Sequence, residues 1–192
     1  MKELREAILR EGQGIGKDVV KVDSFLNHRI DVGLAVRMGQ AFYQAFREDE
    51  VDCILTVEAS GIVPAVTTAQ AFGNIPVVFA KKGDHTNVGP DVYTARVYSF
   101  THQRTNVIRV SKRHLLRGAR VLIIDDFLAN GEAIEGLLDI LRQAECIAVG
   151  AGVCVEKGFQ SGGRRLRERG LKVVSLATVA GVEDGHIILD QQ

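Results

Sequence analysis

The chain of 192 residues has no tryptophan, only three prolines and two methionines, and no excess of charge of either sign. Lysine plus arginine (24) balances aspartate plus glutamate (24), which removes the simplest electrostatic case for a nucleic-acid or acidic-membrane binder. Cysteine is scarce and odd in number. Cys53, Cys146 and Cys154 lack C-x-x-C spacing, which excludes a disulfide scaffold and a zinc ribbon and leaves reduced core thiols. The longest unbroken apolar run, Ile147 to Val155, falls far short of the ~20 residues of a membrane span. The start, Met1-Lys2-Glu3-Leu4-Arg5-Glu6, has no apolar signal-peptide core, so a cytoplasmic protein without membrane or nucleic-acid partners is expected. There is no internal repeat or low-complexity tract, and no G-x-x-x-x-G-K-[ST] loop for nucleoside triphosphate hydrolysis.

What is present is a chain of single-domain length with 46% hydrophobic and 25% charged residues, enough for a substantial core. Leu4, Ile8 and Leu9 suggest a first amphipathic helix, and Gly12, Gly14 and Gly16 read as the flexible connector after it. A second helix is expected from Asp31 to about Arg47, where Leu34, Met38, Ala41, Phe42, Ala45 and Phe46 repeat behind a capping Asp. Short β-rich runs follow at 51–57, 76–80, 106–110, 121–124, 147–155 and 173–177, several of them apolar on both faces. Helices at 61–72, 132–144 and 161–169 alternate with them, which predicts an α/β fold with a mostly parallel central sheet flanked by helices. Ala95 to Phe100 alternates differently behind the polar stretch 83–94, and reads as a protruding antiparallel hairpin or lid.

The sharpest signal is the run Val121-Leu122-Ile123-Ile124-Asp125-Asp126-Phe127-Leu128-Ala129-Asn130-Gly131-Glu132-Ala133. A buried strand ends in two carboxylates, and a small-residue loop opens a helix. In an open α/β sheet the ligand crevice lies at the carboxyl ends of strands, where Asp125 and Asp126 fall. Free amides at the helix start, aided by its dipole, suit a phosphate, and Gly131 permits the tight backbone they need. The carboxylates can accept ribose hydroxyl hydrogens or hold Mg²⁺ through water. Two Asp residues and a Gly can also make no more than a turn and a cap.

This run resembles the motif for 5-phosphoribosyl 1-diphosphate (PRPP) of the type I phosphoribosyltransferases, with Ala129-Asn130 in place of the usual Thr-Gly portion. The segments Lys21 to His28, Val57 to Ile62, Val97 to Phe100, Asp125 to Gly131 and Val155 to Phe159 together resemble the bacterial xanthine-specific members of that family over nearly the whole chain. The resemblance implies one type I phosphoribosyltransferase domain over residues 1–192, with a small N-terminal hood (about 1–30) and a lid hairpin (about 83–98). It implies PRPP binding by Ala129, Asn130, Gly131, Glu132 and Ala133, and a pyrophosphate loop at Glu58, Ala59, Ser60 and Gly61. Asp125, Asp126 and Lys81 would be catalytic. Consecutive side chains in extended chain point to opposite sides, so one of Lys81 and Lys82 is expected to face the site, with Lys81 preferred. Val20, Asn27, Lys157 and Phe159 would bind the base.

The implied reaction joins xanthine to PRPP in purine salvage, with Mg²⁺ held mainly by substrate and waters and Asp125 or Asp126 contributing. A homodimer is the implied assembly. The same reaction on guanine or hypoxanthine is the nearer alternative, since these bases share a 6-oxo group. A PRPP-sensing regulator without catalysis is the alternative from another class, and the chain leaves no room for an appended DNA-reading domain. The basic segment Arg164 to Arg169 reads as a solvated helical face without a function.

Overall fold

The computed structural model describes residues 1–83, 91–99 and 104–190. In chain order the elements are α1 (Lys2–Glu11), β1 (Gln13–Ile15), β2 (Val19–Lys21), a π-helical turn (Asp23–Asn27), α2 (Val32–Phe46), β3 (Cys53–Val57) and α3 (Ile62–Ala71). They continue as β4 (Val77–Lys82), β5 (Val92–Ser99), β6 (Arg104–Ser111), β7 (Arg120–Leu128), α4 (Glu132–Gln143), β8 (Ile147–Lys157), α5 (Gly162–Glu168), β9 (Val173–Glu183) and β10 (His186–Leu189).

Local sequence explains the main elements. Asp31 caps α2 by accepting the Leu34 N–H at 2.9 Å, and Leu34, Met38, Phe42 and Phe46 then bury one face at four-residue spacing. The strand β3 is buried at every position, as a central strand covered on both sides must be. Strands β9, β8, β7, β3 and β4 run parallel; β10 joins one edge, and β6 followed by β5 the other, each through antiparallel pairing.

Strand alternation divides the interior into two layers. Ile54, Leu122 and Ile124 face α2 and α3, joining Leu34, Phe42 and Ala65, while Leu55, Val121 and Ile123 face α4, joining Ile134, Leu137 and Ile140. From β3 the chain goes through α3 to β4 on one side, then returns to β7 on the other side of β3. The carboxyl ends of β3 and β7 are therefore neighbours at the point where the strand order reverses, which is where a crevice opens in such sheets.

Three regions differ from the sequence expectation. The glycine-bearing segment after α1 is not a loose connector: β1 and β2 pair antiparallel, and the Gly14 N–H donates to the Gly185 carbonyl at 2.9 Å, tying this hairpin to the β9–β10 turn. The chain also ends in a hairpin, β9–β10, beyond the expected strand 173–177. Of the expected lid, residues 84–90 lie outside the described residues. Its portion 92–98 is the edge strand β5, paired along β6 and packed by Ala95 and Val97 on the α4 side of the core. Among the described residues no helix is long and apolar enough to cross a membrane.

Candidate active site

A cavity of about 640 Å³ opens at the carboxyl ends of β3 and β7. It is lined by the β3–α3 loop from Glu58 to Gly61, by Asp125 and Asp126, by the β7–α4 loop from Ala129 to Ala133, and by Lys82, Lys157 and Gln160. Two loops and a carboxylate pair that are distant in sequence thus share one cleft. Lys81 is not in it. Lys82 lines the cleft, whereas Lys81, the residue preferred from the sequence, lines a separate groove beside Phe79 and Arg109.

The β7–α4 loop presents bare backbone. Gly131 sits at φ 88°, the left-handed region, and no side chain caps the helix that follows it. The first N–H groups of α4 have no partner within the helix, and the positive end of its dipole faces the same way. Glu132 lines this end too, so an anion there meets amides first and must avoid that carboxylate.

Asp125 is only 4% exposed. Burial, and next the negative charge of Asp126, push its carboxyl well above the usual carboxylate range, with the Lys82 ammonium opposing them. The Asp126 N–H donates to Asp125 Oδ1 at 2.9 Å, and Asn27 Nδ2 reaches across from the π-helical turn to Asp126 Oδ2 at 3.2 Å. This pair has a stored need for positive charge. Among the described residues no cluster of three or more His, Cys, Asp or Glu side chains forms a metal cage. Two carboxylates alone fit a magnesium ion that keeps its waters and takes its other ligands from substrate phosphates.

The Glu58–Ala59 peptide is cis. Glu58 turns its carboxylate to the end of β4, where Oε1 accepts the Lys82 N–H at 2.6 Å, leaving the loop backbone for the cleft. A Cβ at Gly61 would lie 2.2 Å from Thr56 Oγ1 and 2.8 Å from Asp125 Oδ1, so this loop closes on the carboxylate pair only without a side chain.

At the other end of the cleft Lys157 Nζ donates to the Asp18 carbonyl at 2.8 Å, linking β8 to the β1–β2 turn. Burial holds its ammonium below the usual lysine value, and the charge of Asp18 partly opposes this. Val20 is buried in the α2-side core, and Phe159 packs against the same core. Of the four residues expected at the base, Lys157 lines the cleft, Asn27 touches it through Asp126, and Val20 and Phe159 do not line it. Gln160, which the sequence reading passed over, does line it, and its Oε1 is buried without a hydrogen-bond partner among the described residues.

Residues 33–165 match the family described as Phosphoribosyl transferase domain. The chain belongs to that family. As a phosphoribosyltransferase it is 49% identical over 187 residues to the "Xanthine phosphoribosyltransferase" of Clostridioides difficile (strain 630), covering 97% of this chain and 98% of that one. It is 48% identical over 191 residues to the protein of the same name from Bacillus cytotoxicus, covering 100% of this chain and 96% of that one. Among solved structures, an adenine phosphoribosyltransferase from Rhodothermus marinus DSM 4252 superposes with a TM-score of 0.72 at 19% identity, over 93% of this chain and 99% of the other. At that identity the likeness speaks for the fold.

One expectation is qualified within this phosphoribosyltransferase. The basic face of α5 is not merely solvated: Arg167 donates to both oxygens of Glu156, at 2.8 and 2.7 Å, and Arg165 Nη2 donates to the Asn130 carbonyl at 2.7 Å. Burial alone would raise the Glu156 carboxyl, but hydrogen bonds from Arg167 and Ser175, with the Arg167 charge, hold it below the usual value. An acid directly after the apolar run of β8 was the one sequence sign that a cation waited opposite it.

Proposed function

We propose that this phosphoribosyltransferase transfers the 5-phosphoribosyl group of PRPP to N9 of xanthine, giving xanthosine 5′-monophosphate (XMP) and pyrophosphate, in cytoplasmic purine salvage. The observation that carries the reaction is the meeting, in one cleft, of two amide-rich loops with a carboxylate pair between them and a lysine at the far end. The choice of xanthine rests on the name of the two full-length relatives.

In this reading the loop Ala129, Asn130, Gly131, Glu132 and Ala133 takes the 5′-phosphate through backbone N–H groups. Glu58, Ala59, Ser60 and Gly61 take the pyrophosphate, again by backbone. Asp125 and Asp126 sit below the ribose and accept its hydroxyl hydrogens. They would also hold, directly or through water, a magnesium ion that arrives with PRPP and supplies neutralising charge for pyrophosphate. Lys82 adds an ammonium where negative charge grows on the departing group.

The bond from the anomeric carbon to pyrophosphate breaks as positive charge develops on the ribose, N9 bonds to that carbon from the opposite face, and the imidazole-ring proton of xanthine passes to the departing pyrophosphate or to water. Asp125 and Asp126 stabilise that developing charge, and no covalent enzyme intermediate forms. Holding both substrates in line supplies much of the acceleration, which is why the cleft is rich in anion cradles and, among the described residues, pairs no nucleophile with a base. At the base end, Lys157 meets a carbonyl oxygen or an anionic edge of the purine, and Asn27 offers its amide. Phe159 and Val20 support this end from the core beneath. The working unit is a homodimer.

The test is stoichiometric. Purified protein with Mg²⁺, PRPP and xanthine is expected to form XMP and pyrophosphate in equal amounts. PRPP binding without any product from xanthine, guanine or hypoxanthine would make the protein a sensor and overturn the reading.

A further inference from the structure

The helix α5 touches the cleft only through other residues, yet it packs on the phosphate loop more closely than side chains allow. A Cβ at Gly162 would lie 2.3 Å from the Ala129 carbonyl oxygen and 2.7 Å from the Gly131 nitrogen. Backbone therefore meets backbone there. The helix is fixed from the other side by the twofold bond of Arg167 to Glu156 on β8, and by Arg169, whose guanidinium lies 2.5 Å from Glu135 on α4. From this braced position Arg165 Nη2 donates to the Asn130 carbonyl oxygen.

In a trans peptide the carbonyl and the N–H of the same plane point in opposite directions. A guanidinium that holds the Asn130 carbonyl toward α5 therefore turns the Gly131 N–H away from α5, toward the cleft that Gly131 lines. A cationic donor on the carbonyl also polarises that peptide, so its N–H becomes a stronger donor. Without this anchor the peptide before a residue at φ 88° has freedom to rotate, and the amide has no fixed aim.

We infer that Arg165 is a positioning residue for 5′-phosphate recognition: it orients and polarises the Asn130–Gly131 peptide without touching the ligand. This rests on the reading that the loop at 129–133 takes the 5′-phosphate. Arg165 is absent from the cleft lining, and its side chain is 45% exposed, so its effect passes through the peptide and is moderate.

The experiment compares inhibition constants for XMP, xanthosine and pyrophosphate in the wild type, Arg165→Met and Arg165→Lys. Arg165→Met keeps the aliphatic stem and removes the donor. It is expected to weaken XMP about five- to twentyfold, the range for losing a partly exposed charged hydrogen bond. Pyrophosphate, held at the other loop, should change by less than about twofold. Arg165→Lys keeps a charged donor and should recover part of the XMP affinity. Arg164→Met removes a neighbouring cation of the same helix, one that pairs with Glu168 at 3.9 Å, and should leave XMP binding unchanged.

Unchanged XMP affinity in Arg165→Met overturns the proposal, and so does an equal loss for XMP and pyrophosphate, which would mean general loosening. The underlying reading fails separately and before any mutation, if the wild type binds xanthosine as tightly as XMP.

Discussion

Replacing Asp125 by Asn should stabilise this protein while it impairs turnover. The carboxyl is 4% exposed and adjoins Asp126, and burial first, then that neighbouring charge, raise its folded-state pKa well above the unfolded one. The native state thus binds the proton more tightly than the unfolded chain. The contribution of Asp125 is intact below the ordinary carboxylate range and is lost as pH rises through its elevated folded value. An Asn side chain has the same shape, can still accept the Asp126 N–H through Oδ1, and does not titrate. Relieving such strain at a functional site is worth about 1–2 kcal/mol at neutral pH. For a chain of this length each kcal/mol moves the thermal midpoint by about 2–4 °C. Circular dichroism melts of wild type and Asp125→Asn between pH 4 and 8 should therefore show a gap that is small in acid and widens toward neutrality in favour of the variant. Adding PRPP with Mg²⁺ should narrow it, because the wild-type carboxylate then gains the positive charge it lacks. A variant less stable than wild type at neutral pH, or a gap independent of pH, would refute the reasoning.

Three further outcomes follow from the same geometry. Gly131→Val places a β-branched residue at φ 88°, a strain of about 1–3 kcal/mol, so the KM for PRPP should rise roughly tenfold or more in steady-state assays while circular dichroism shows the fold retained. Lys157→Ala should raise the KM for xanthine by roughly ten- to hundredfold with little change for PRPP; Lys157→Gln restores a donor without charge, so partial rescue points to hydrogen bonding and no rescue to recognition of an anionic base. Lys82→Met should lower kcat and leave the equilibrium binding of xanthine, measured by calorimetry, unchanged, because in the proposed reaction its ammonium acts on the departing pyrophosphate.

The sheet was legible because its central strands are buried on both faces and so appear as short apolar runs, and α2 and α4 because their apolar faces repeat at helical spacing. The loops at 58–61 and 129–133 were legible for a related reason: strand, small residues and helix follow one another without interruption, and the sheet order then brings the two together. The β9–β10 hairpin had a clear sign that went unused. Asp184 and Gly185, at φ 47° and 80°, form a two-residue turn between Glu183 and His186, the pairing that Asp-Gly favours. The strands β1 and β2 are three residues each, too short for any period, and the contact that ties them to the rest, Gly14 N–H to the Gly185 carbonyl, spans nearly the whole sequence. Lys82 could not be told from Lys81 because alternation fixes that one faces the cleft without fixing which. The arginines of α5 are exposed, as their spacing indicates, but spacing could not show that two of them bond to Asn130 and Glu156, which come from other elements.

The central claim is that this cleft joins xanthine, in preference to other purines, to PRPP. It is tested most directly by kcat/KM for xanthine, guanine, hypoxanthine and adenine at saturating PRPP and Mg²⁺. The account predicts at least about a tenfold preference for xanthine over each of the others, equivalent to about 1.4 kcal/mol of discrimination in the transition state. Equal or better turnover of guanine or hypoxanthine would contradict it.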